Sequence, residues 1–329
     1  MRLRLAGGRA AIYAAAGLLA AVCAFAPTPY SLILPGNALD LGDVVSVPGL
    51  AAQGHLYLTD VRFATHVTPV ELLSAFIPGT RVVWTNDVLP RGISMRDYDT
   101  VEREAMSESQ VIAAAVAERA AGYRVPAPRG LVMVLRFAPD SLAARALKPM
   151  DMIAAIDRHA VESPADVSAV MRAVRPGTPV RVDVLRAGKL RTFRITTTSY
   201  RGRTVLGTYL TTILEQPRLP VPVHYHLQHV AGSSGGLMFA LEIYRSLRRQ
   251  TLPSGIRIAG TGTIDYDGVV GPIEGATQKV AAARAAGATF FLVPLENYAE
   301  IKATPGIQVL PVGTFAQAVK AIAASTVPQ

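Results

Sequence analysis

Apolar positions recur along much of this chain with the periods of strands and helices. Val180, Val182 and Val184 alternate with polar residues, which is the period of a half-buried strand. After Ser163, apolar side chains fall on one helical face as far as Val174. The same criteria predict helices over residues 107–121, 237–248 and 314–323. Strands alternating with helices predict an α+β protein of several domains.

The first part of the chain has a different pattern. Three arginines within the first nine residues precede an uncharged, mostly apolar run over residues 10–27, and no further Lys or Arg occurs before Arg62. This pattern predicts a signal peptide or a signal anchor, and we favour an uncleaved anchor, that is, an N-terminal transmembrane helix that draws on residues 28–34 to span the bilayer. The expected location is the cell membrane, single-pass, with a cytoplasmic N-terminus and everything from about Gly36 onward outside the cytoplasm.

Composition narrows the function classes. The net charge is +9, but only 6% of the residues are aromatic and no dense basic patch is present, so nucleic acid is not an expected partner. The single cysteine, Cys23, excludes an intramolecular disulfide. His224 and His226 share a strand face without an obvious third ligand, and we therefore expect neither a metal site nor a cofactor.

The strongest chemical signal lies between residues 232 and 279. Ser234 stands in a Gly-Ser run directly before an apolar helix, the layout of a nucleophile at a helix N-terminus, where free N–H groups can hold an oxyanion. Lys279 begins an Ala-rich helix between apolar segments. A lysine acts as a base only when it is neutral, which in water at pH 7 holds for roughly one molecule in 10³. Burial of Lys279 would lower its pKa toward the catalytic range. A flexible turn with a solvated lysine is the competing interpretation.

Taken together, these motifs resemble the proteolytic domain of the Lon peptidases over about residues 204–324. The matching features are the Ser234 turn, Thr-Gly-Thr-Ile at 261–264, Val-Gly-Pro-Ile at 270–273, Lys279, and Phe-Leu-Val-Pro at 291–294. The resemblance implies a Ser–Lys endopeptidase whose fold is similar to the second domain of ribosomal protein S5.

The resemblance also assigns roles to individual residues. It implies that Ser234 is the nucleophile, that Lys279 is the general base, and that Thr261 orients the lysine. The backbone at Ser233 and Gly235 would lie at the oxyanion. The family usually has proline at position 233, alanine at 235 and glycine at 274. A carboxylate such as that of Glu274, if close to Lys279, would raise the pKa of the lysine.

Residues 123–199 resemble a PDZ domain of the bacterial, circularly permuted kind. The matching features are an apolar strand over 132–135, the run 151–157, the Ser163 helix and a hairpin; Met150 stands where the family usually has glycine. PDZ domains bind an extended peptide as an added strand. By resemblance the peptide groove would lie between the first strand and the helix, lined by Gly130, Leu131, Val132, Val167 and Met171, unless these side chains only form the core.

The predicted organisation is an anchor over residues 1–36, an extracytoplasmic α/β region over 37–122, a PDZ domain over 123–199 and a Lon-type protease domain over 200–329. This order resembles the YlbL-like membrane-anchored proteases of bacteria. The chain has no Gly-x-x-x-x-Gly-Lys-[Ser/Thr] motif for ATP phosphates. We therefore predict an ATP-independent serine endopeptidase that acts on protein or peptide substrates, with a homo-oligomer left open.

Other functions stay open at this stage. His224, His226 and His229 precede Ser234, but no Asp or Glu between residues 216 and 239 could orient an imidazole locally, so a Ser–His–Asp triad would need a distant carboxylate. The chain could also be a catalytically inactive, membrane-tethered peptide receptor or scaffold, or a protein that cleaves only itself.

Overall fold

The computed structural model describes residues 22–88, 95–227, 232–253 and 255–325, together with Tyr13 and Gly17. The chain forms two compact units. The first, here called the split unit, contains Met1–Val125 and Leu219–Gln329, and the second, here called the inserted unit, contains Pro126–Arg218.

The described elements are bounded as follows. The strands are β1 (Tyr30–Asp40), β2 (Val45–Ser46), β3 (His55–Ala64), β4 (Arg81–Trp84), β5 (Arg129–Phe137), β6 (Met152–Ile156), β7 (His159–Ala160), β8 (Pro179–Arg186), β9 (Lys189–Thr196), β10 (Thr198–Tyr200), β11 (Arg203–Val205), β12 (Thr208–Glu215), β13 (His224–Tyr225), β14 (Arg257–Gly260), β15 (Thr263–Ile264), β16 (Val270–Gly271), β17 (Phe290–Pro294) and β18 (Gln308–Val312). The α-helices are α1 (Leu41–Val44), α2 (Thr85–Val88), α3 (Met95–Ala120), α4 (Pro164–Arg172), α5 (Gly236–Leu247), α6 (Ala276–Ala285), α7 (Leu295–Ile301) and α8 (Phe315–Ser325). Short 3₁₀ helices cover Glu71–Phe76, Leu142–Arg145 and Ser233–Gly235.

A six-stranded mixed sheet forms the centre of the split unit, in the order β18-β17-β14-β3-β1-β4. The first four strands of this order are parallel, and β3, β1 and β4 pair antiparallel. Successive side chains of a strand point to opposite faces. Accordingly, Ile258 packs in a core cluster with α5, whereas Ala259 packs in a second cluster with α6. Apolar cores on both faces place the sheet between two layers of helices.

Residues 37–122 do not form a region of their own. Strand β3 pairs with β14, so that His55 lies opposite Arg257, and helix α3 contributes Ala113 and Ala117 to the same core as α5. Without β3, one edge of β14 would have no partner within the sheet. The predicted separate region over 37–122 is therefore part of the same unit as the segment predicted to be the protease.

The prediction of an N-terminal transmembrane helix is corrected. In the ranges described here, none of the helices combines the length and the apolar character needed to cross a bilayer. Most of the predicted run over residues 10–27 lies outside the described residues. Its predicted extension through 28–34 is wrong, because Leu32 is buried in β1 between Ala64 of β3 and Val82 of β4. The expectation that the remainder of the chain lies outside the cytoplasm stays a prediction.

The inserted unit is a smaller sheet in the order β12-β5-β6-β8-β9, packed against helix α4. Val180, Val182 and Val184 of β8 are all buried, as their alternation predicts. The predicted cap of α4 is confirmed: the N–H of Asp166 donates to Ser163 Oγ at 3.2 Å, and the N–H of Ser163 donates to Asp166 Oδ2 at 2.9 Å. This capping box begins the helix at Pro164.

The inserted unit extends further along the chain than residues 123–199. Strand β12 pairs antiparallel with β5 along its whole length, from Thr208 opposite Phe137 to Glu215 opposite Arg129. The protease domain was predicted to begin at residue 200, but Thr208–Glu215 form β12 of this sheet. Pairing with β5 moves the boundary of the unit to Arg218.

Candidate active site

Ser234 lies in a single 3₁₀ turn, Ser233–Gly235, that leads directly into α5. The turn is fixed from two sides. The carbonyl oxygen of Ser234 accepts hydrogen bonds from the Gly262 N–H at 2.8 Å and from Thr261 Oγ1 at 3.0 Å. On the other side, Gly232 has a φ of +92° and its N–H donates to the carbonyl oxygen of Glu102 at 3.0 Å. Glycine suits this φ because it has no Cβ.

Lys279 lies in the first turns of α6, and its side chain contacts Ser234. Its Nζ donates to Ser234 Oγ at 2.7 Å and to Thr261 Oγ1 at 3.2 Å. The lysine is only 3% exposed and Thr261 is fully buried, whereas Ser234 is half-buried. The structure thus brings together the three side chains that the sequence proposed as nucleophile, base and orienting residue, although their separations in sequence are 27 and 18 residues.

The environment of Lys279 favours its neutral form. Burial lowers the pKa of Lys279 to about 8, and the charges of Asp60 and Glu274 partly offset this shift. At pH 7 roughly one molecule in ten then carries the free amine, compared with one in 10³ for a solvated lysine. A free amine at this distance can accept the hydroxyl proton of Ser234. The arrangement is therefore chemically suited to activating the serine.

The two residues proposed for the oxyanion flank Ser234 in the same turn. The carbonyl oxygen of Ser233 accepts hydrogen bonds from the Gly236 N–H and from Ser109 Oγ, the latter at 3.1 Å. A Cβ at Gly235 would lie 2.9 Å from the ring of Phe239, so this position has no room for a side chain. The positive end of the helix dipole of α5 lies at this turn. That the backbone at Ser233 and Gly235 holds an oxyanion stays a prediction.

Sequence reasoning missed the part of α3 that borders the site. The capping pattern at Ser107 suggested a helix over 107–121, but the helix begins at Met95 and Ser107 lies in its interior. Glu102, which contacts the turn before Ser234, therefore lay outside the predicted helix, and the contact of Ser109 with Ser233, 124 residues away in the sequence, had no local signal. Asp60 was missed as well, since it lies in β3, more than 170 residues before Ser234 in the sequence. The only sequence signal for the longer helix is the helical spacing of side chains between Met95 and Ser107.

The histidines before Ser234 take no part in the described site. His224 lies in β13, opposite Ser46, and His226 Nε2 lies 3.4 Å from Ser46 Oγ. His229 is outside the described residues. Within the described ranges, no three His, Cys, Asp or Glu side chains lie close enough together to hold a metal ion.

The residues assigned to the peptide groove lie on strand β5 and helix α4. Gly130, Leu131 and Val132 pair with β12, and Val132 also pairs with β6 on its other side. The side chains of Val132, Val167 and Met171 are buried in the core. The alternative interpretation, that the assigned residues form the core, therefore describes these three better, whereas Gly130 and Leu131 are half-buried. The strand at this edge of the sheet is β12.

A model of the PDZ domain family matches residues 92–197, so this chain contains a PDZ domain. The match covers most of the inserted unit, which confirms that prediction. Before residue 126 it also covers α3 of the split unit, and it ends before β12.

The chain is also similar to a protease and to solved PDZ domains. It is 34% identical over 87 residues to Lon protease 2 of Bacillus subtilis (strain 168), a match that covers 26% of this chain and 15% of that protein's length. The PDZ domain of an SdrC-like protein from Listeria monocytogenes matches at 23% identity over 27% of this chain and 93% of that domain, with a TM-score of 0.24. The corresponding domain from Listeria innocua matches at 22% identity over 30% of this chain and 99% of that domain, with a TM-score of 0.21. The protease similarity and the PDZ match together support a PDZ-containing, Lon-related protein.

Proposed function

We propose that this protein is an ATP-independent serine endopeptidase that uses Ser234 and Lys279 as a catalytic dyad. The observation that carries the proposal is the 2.7 Å hydrogen bond between Lys279 Nζ and Ser234 Oγ, made by a lysine that is 3% exposed. The partial similarity to Lon protease 2 supports the same reaction class. The finer likeness to the YlbL-like proteins stays a prediction.

In the proposed reaction, neutral Lys279 removes the hydroxyl proton of Ser234, and the serine oxygen bonds to the scissile carbonyl carbon. Backbone N–H groups at the start of α5 stabilise the negatively charged oxygen that results. Protonated Lys279 then gives its proton to the leaving amine as the peptide bond breaks. Water, deprotonated by the same lysine, hydrolyses the acyl-enzyme and restores Ser234.

The test is cleavage of an unfolded protein such as casein by the purified chain without ATP. We expect cleavage by the natural protein and none above background after Ser234→Ala or Lys279→Ala. Lys302→Ala replaces an exposed lysine of the same unit and is expected to retain activity. Cleavage that survives both dyad substitutions excludes the dyad. Absence of cleavage and of Ser234 labelling by a serine-reactive phosphonate would favour the inactive receptor instead.

For the PDZ domain we propose that an extended peptide adds to the outer edge of β12, which contacts helix α4. The support is the position of β12 at one end of the sheet order. Hydrogen exchange of the full chain tests this, since a bound peptide should protect β12 amides. Strand β9, at the opposite end of the sheet, is the internal control. Protection of β9 alone, or of neither strand at saturating peptide, would contradict this groove.

A further inference from the structure

The charges that act on Lys279 are negative, although the chain as a whole carries a net charge of +9. Among the described residues, the charged groups that act on Lys279 are the carboxylates of Asp60 and Glu274. Those that act on Tyr98, in the first turns of α3, are Glu102, Glu274 and Asp99. No Lys or Arg in the described ranges acts on either group. The charge around Lys279 and Tyr98 is therefore negative, and the carboxylates that act on these two residues are here called the acidic mouth.

Glu102 and Glu274 lie next to the segments that lead to Ser234 and Lys279. Glu102 packs against the chain two residues before the nucleophile: its Oε2 lies 2.7 Å from where a Cβ of Gly232 would stand, and its carbonyl oxygen accepts the Gly232 N–H. Glu274 is exposed and directly precedes Gly275, whose carbonyl oxygen accepts the N–H of Lys279 at 2.9 Å. Neither Glu102 nor Glu274 forms an ion pair with a described Lys or Arg.

These carboxylates oppose the chemistry proposed for the site. Burial of Lys279 favours the free amine that a general base needs, whereas negative charges near it favour the ammonium form. A peptidase without a further use for the charge of Glu274 would gain activity from an uncharged residue at that position. The acidic mouth is accounted for if a positive charge occupies it during the reaction.

Resting on the proposed function, we propose that Glu102 and Glu274 bind a Lys or Arg side chain of the substrate next to the scissile bond. Glu102 adjoins the turn before Ser234 and Glu274 precedes the helix of Lys279, so in this proposal a long cationic side chain of a peptide bound at Ser234 extends to one of these carboxylates. The proposed substrate class is thus proteins and peptides with a basic residue at the cleaved bond.

This binding mode also links recognition to catalysis. A substrate cation paired with Glu274 cancels one of the charges that hold the proton on Lys279. The free amine then becomes more abundant in the enzyme–substrate complex, and the lysine is a better base when the matching substrate is bound. A substrate without the cation leaves the lysine more protonated and is cleaved more slowly.

The test uses internally quenched peptides that differ only in having arginine or its uncharged analogue citrulline beside the cleaved bond, with one pair for each side. For at least one pair, we expect the natural protein to show a kcat/KM at least tenfold higher for arginine at pH 7 and low salt. Glu274→Gln should reduce this preference to threefold or less and increase cleavage of the citrulline peptide several-fold. Glu102→Gln should reduce the preference without that increase.

Glu104→Gln is the matched control, since Glu104 is exposed on the same helix as Glu102 and acts on neither Lys279 nor Tyr98. It should retain the full arginine preference. Equal cleavage of both peptides of each pair by the natural protein would overturn the inference, as would an equal loss for both peptides in Glu274→Gln. Neither result affects the dyad. Peptide cleavage by the Ser234→Ala variant would instead remove the proposed function on which the inference rests.

Discussion

Asp151 of the inserted unit and Lys279 of the split unit are both buried, but their ionisable groups have opposite surroundings. In the inserted unit, Asp151 is 1% exposed and accepts hydrogen bonds from Arg186 Nε and Nη2, each at 2.7 Å, and from the Lys148 N–H at 2.7 Å. Burial alone would raise the pKa of Asp151, but these bonds and the charges of Arg186 and Lys148 lower it. In the split unit, Lys279 Nζ has only the hydroxyl groups of Ser234 and Thr261 as hydrogen-bond partners among the described residues, and burial lowers the pKa of the lysine.

The difference in hydrogen-bond partners distinguishes Asp151, whose charge stabilises the fold, from Lys279, whose amine is proposed to react. Asp151 keeps its charge because several donors replace the water lost on burial. Lys279 Nζ donates no hydrogen bond to a carboxylate among the described residues, so its charged form is unfavourable and its free amine is accessible near neutral pH. A structural site and a reactive site can therefore be distinguished by whether the buried charge is compensated.

The largest effect is expected at Lys279. Lys279→Met should abolish proteolysis and, at pH 7, raise the free energy of unfolding of the split unit by about 3 kcal/mol, because a lysine with a lowered pKa destabilises the fold wherever it is protonated. The folded state binds fewer protons than the unfolded state between about pH 8 and 10.5, so the natural protein gains stability as the pH rises through this window. Above about pH 10.5, the Lys279→Met variant should therefore no longer be more stable than the natural protein.

Denaturation monitored by hydrogen exchange in α5 and β14 measures this change, with Lys302→Met as the control. A variant that is less stable than the natural protein at pH 7 would mean that the contacts of Lys279 compensate its burial, and the contrast with Asp151 would fail.

A loss of stability is expected at the compensated charge. Asp151→Ala should destabilise the inserted unit by about 3 kcal/mol, since it leaves the Arg186 guanidinium and the Lys148 N–H without their shared acceptor. The contribution of Asp151 should also be lost as the pH falls below the ordinary aspartate value of 3.8, because its folded-state pKa is lowered. Denaturation of the natural and altered chains at pH 7 and pH 3 measures both effects.

Asp183→Ala is the matched control, because Asp183 pairs with Arg181, whose side chain is 46% exposed. Its loss should cost under about 1 kcal/mol. Equal costs for the two substitutions would show that burial does not distinguish these ion pairs.

The hydroxyl of Thr261 is the next test, because it connects the two members of the dyad. It accepts from Lys279 Nζ and donates to the carbonyl oxygen of Ser234. Thr261→Val keeps the shape but removes both bonds, and we expect kcat to fall about 30-fold, equivalent to about 2 kcal/mol. Steady-state kinetics with Thr263→Val as the control measure this. An unchanged kcat would show that Lys279 is held by packing alone.

Much of the proposed site could be predicted from sequence because its signals are local. The Gly-Ser run at Ser234 and the Ala-rich helix of Lys279 each indicate their own structure, and the resemblance to Lon peptidases supplied their pairing. The strand order could not be predicted in this way. An apolar strand such as β3 shows that it is a strand, but nothing local shows that His55 lies opposite Arg257, 202 residues later in the sequence. The same limit applies to β12 and to the peptide groove.

Glu118 extends the comparison to a buried carboxyl group that, unlike Asp151, has no hydrogen-bond donor among the described residues. It is fully buried on α3, neither carboxyl oxygen has a hydrogen-bond partner among the described residues, and burial raises its pKa to about 7. The nearby Tyr225 hydroxyl donates to the carbonyl oxygen of Gln110 instead. A raised carboxyl pKa means that stability is lost as the pH rises from about 4.5 to 7.

Glu118→Gln should therefore raise the free energy of unfolding by about 2 kcal/mol at pH 8 and leave it unchanged at pH 4. Denaturation at the two pH values measures the difference, and Glu104→Gln on the exposed side of α3 should have no effect at either. A gain that is equal at pH 4 and pH 8 would rule out titration as its cause.

The smallest effect is expected beside Asp151. Met150 has a φ of +71° and is 66% exposed, so its side chain adds strain without burying much surface. The PDZ resemblance has glycine at this position, and the backbone explains the preference, since only glycine adopts this conformation without a Cβ clash. Met150→Gly should stabilise the inserted unit by about 1 kcal/mol. Asp140, with a φ of +59°, is the control, because aspartate tolerates this region better and Asp140→Gly should give less than half the gain. A destabilised Met150→Gly chain would mean that the methionine side chain supports the Asp151 site, so that compensation of the charge depends on packing as well as on hydrogen bonds.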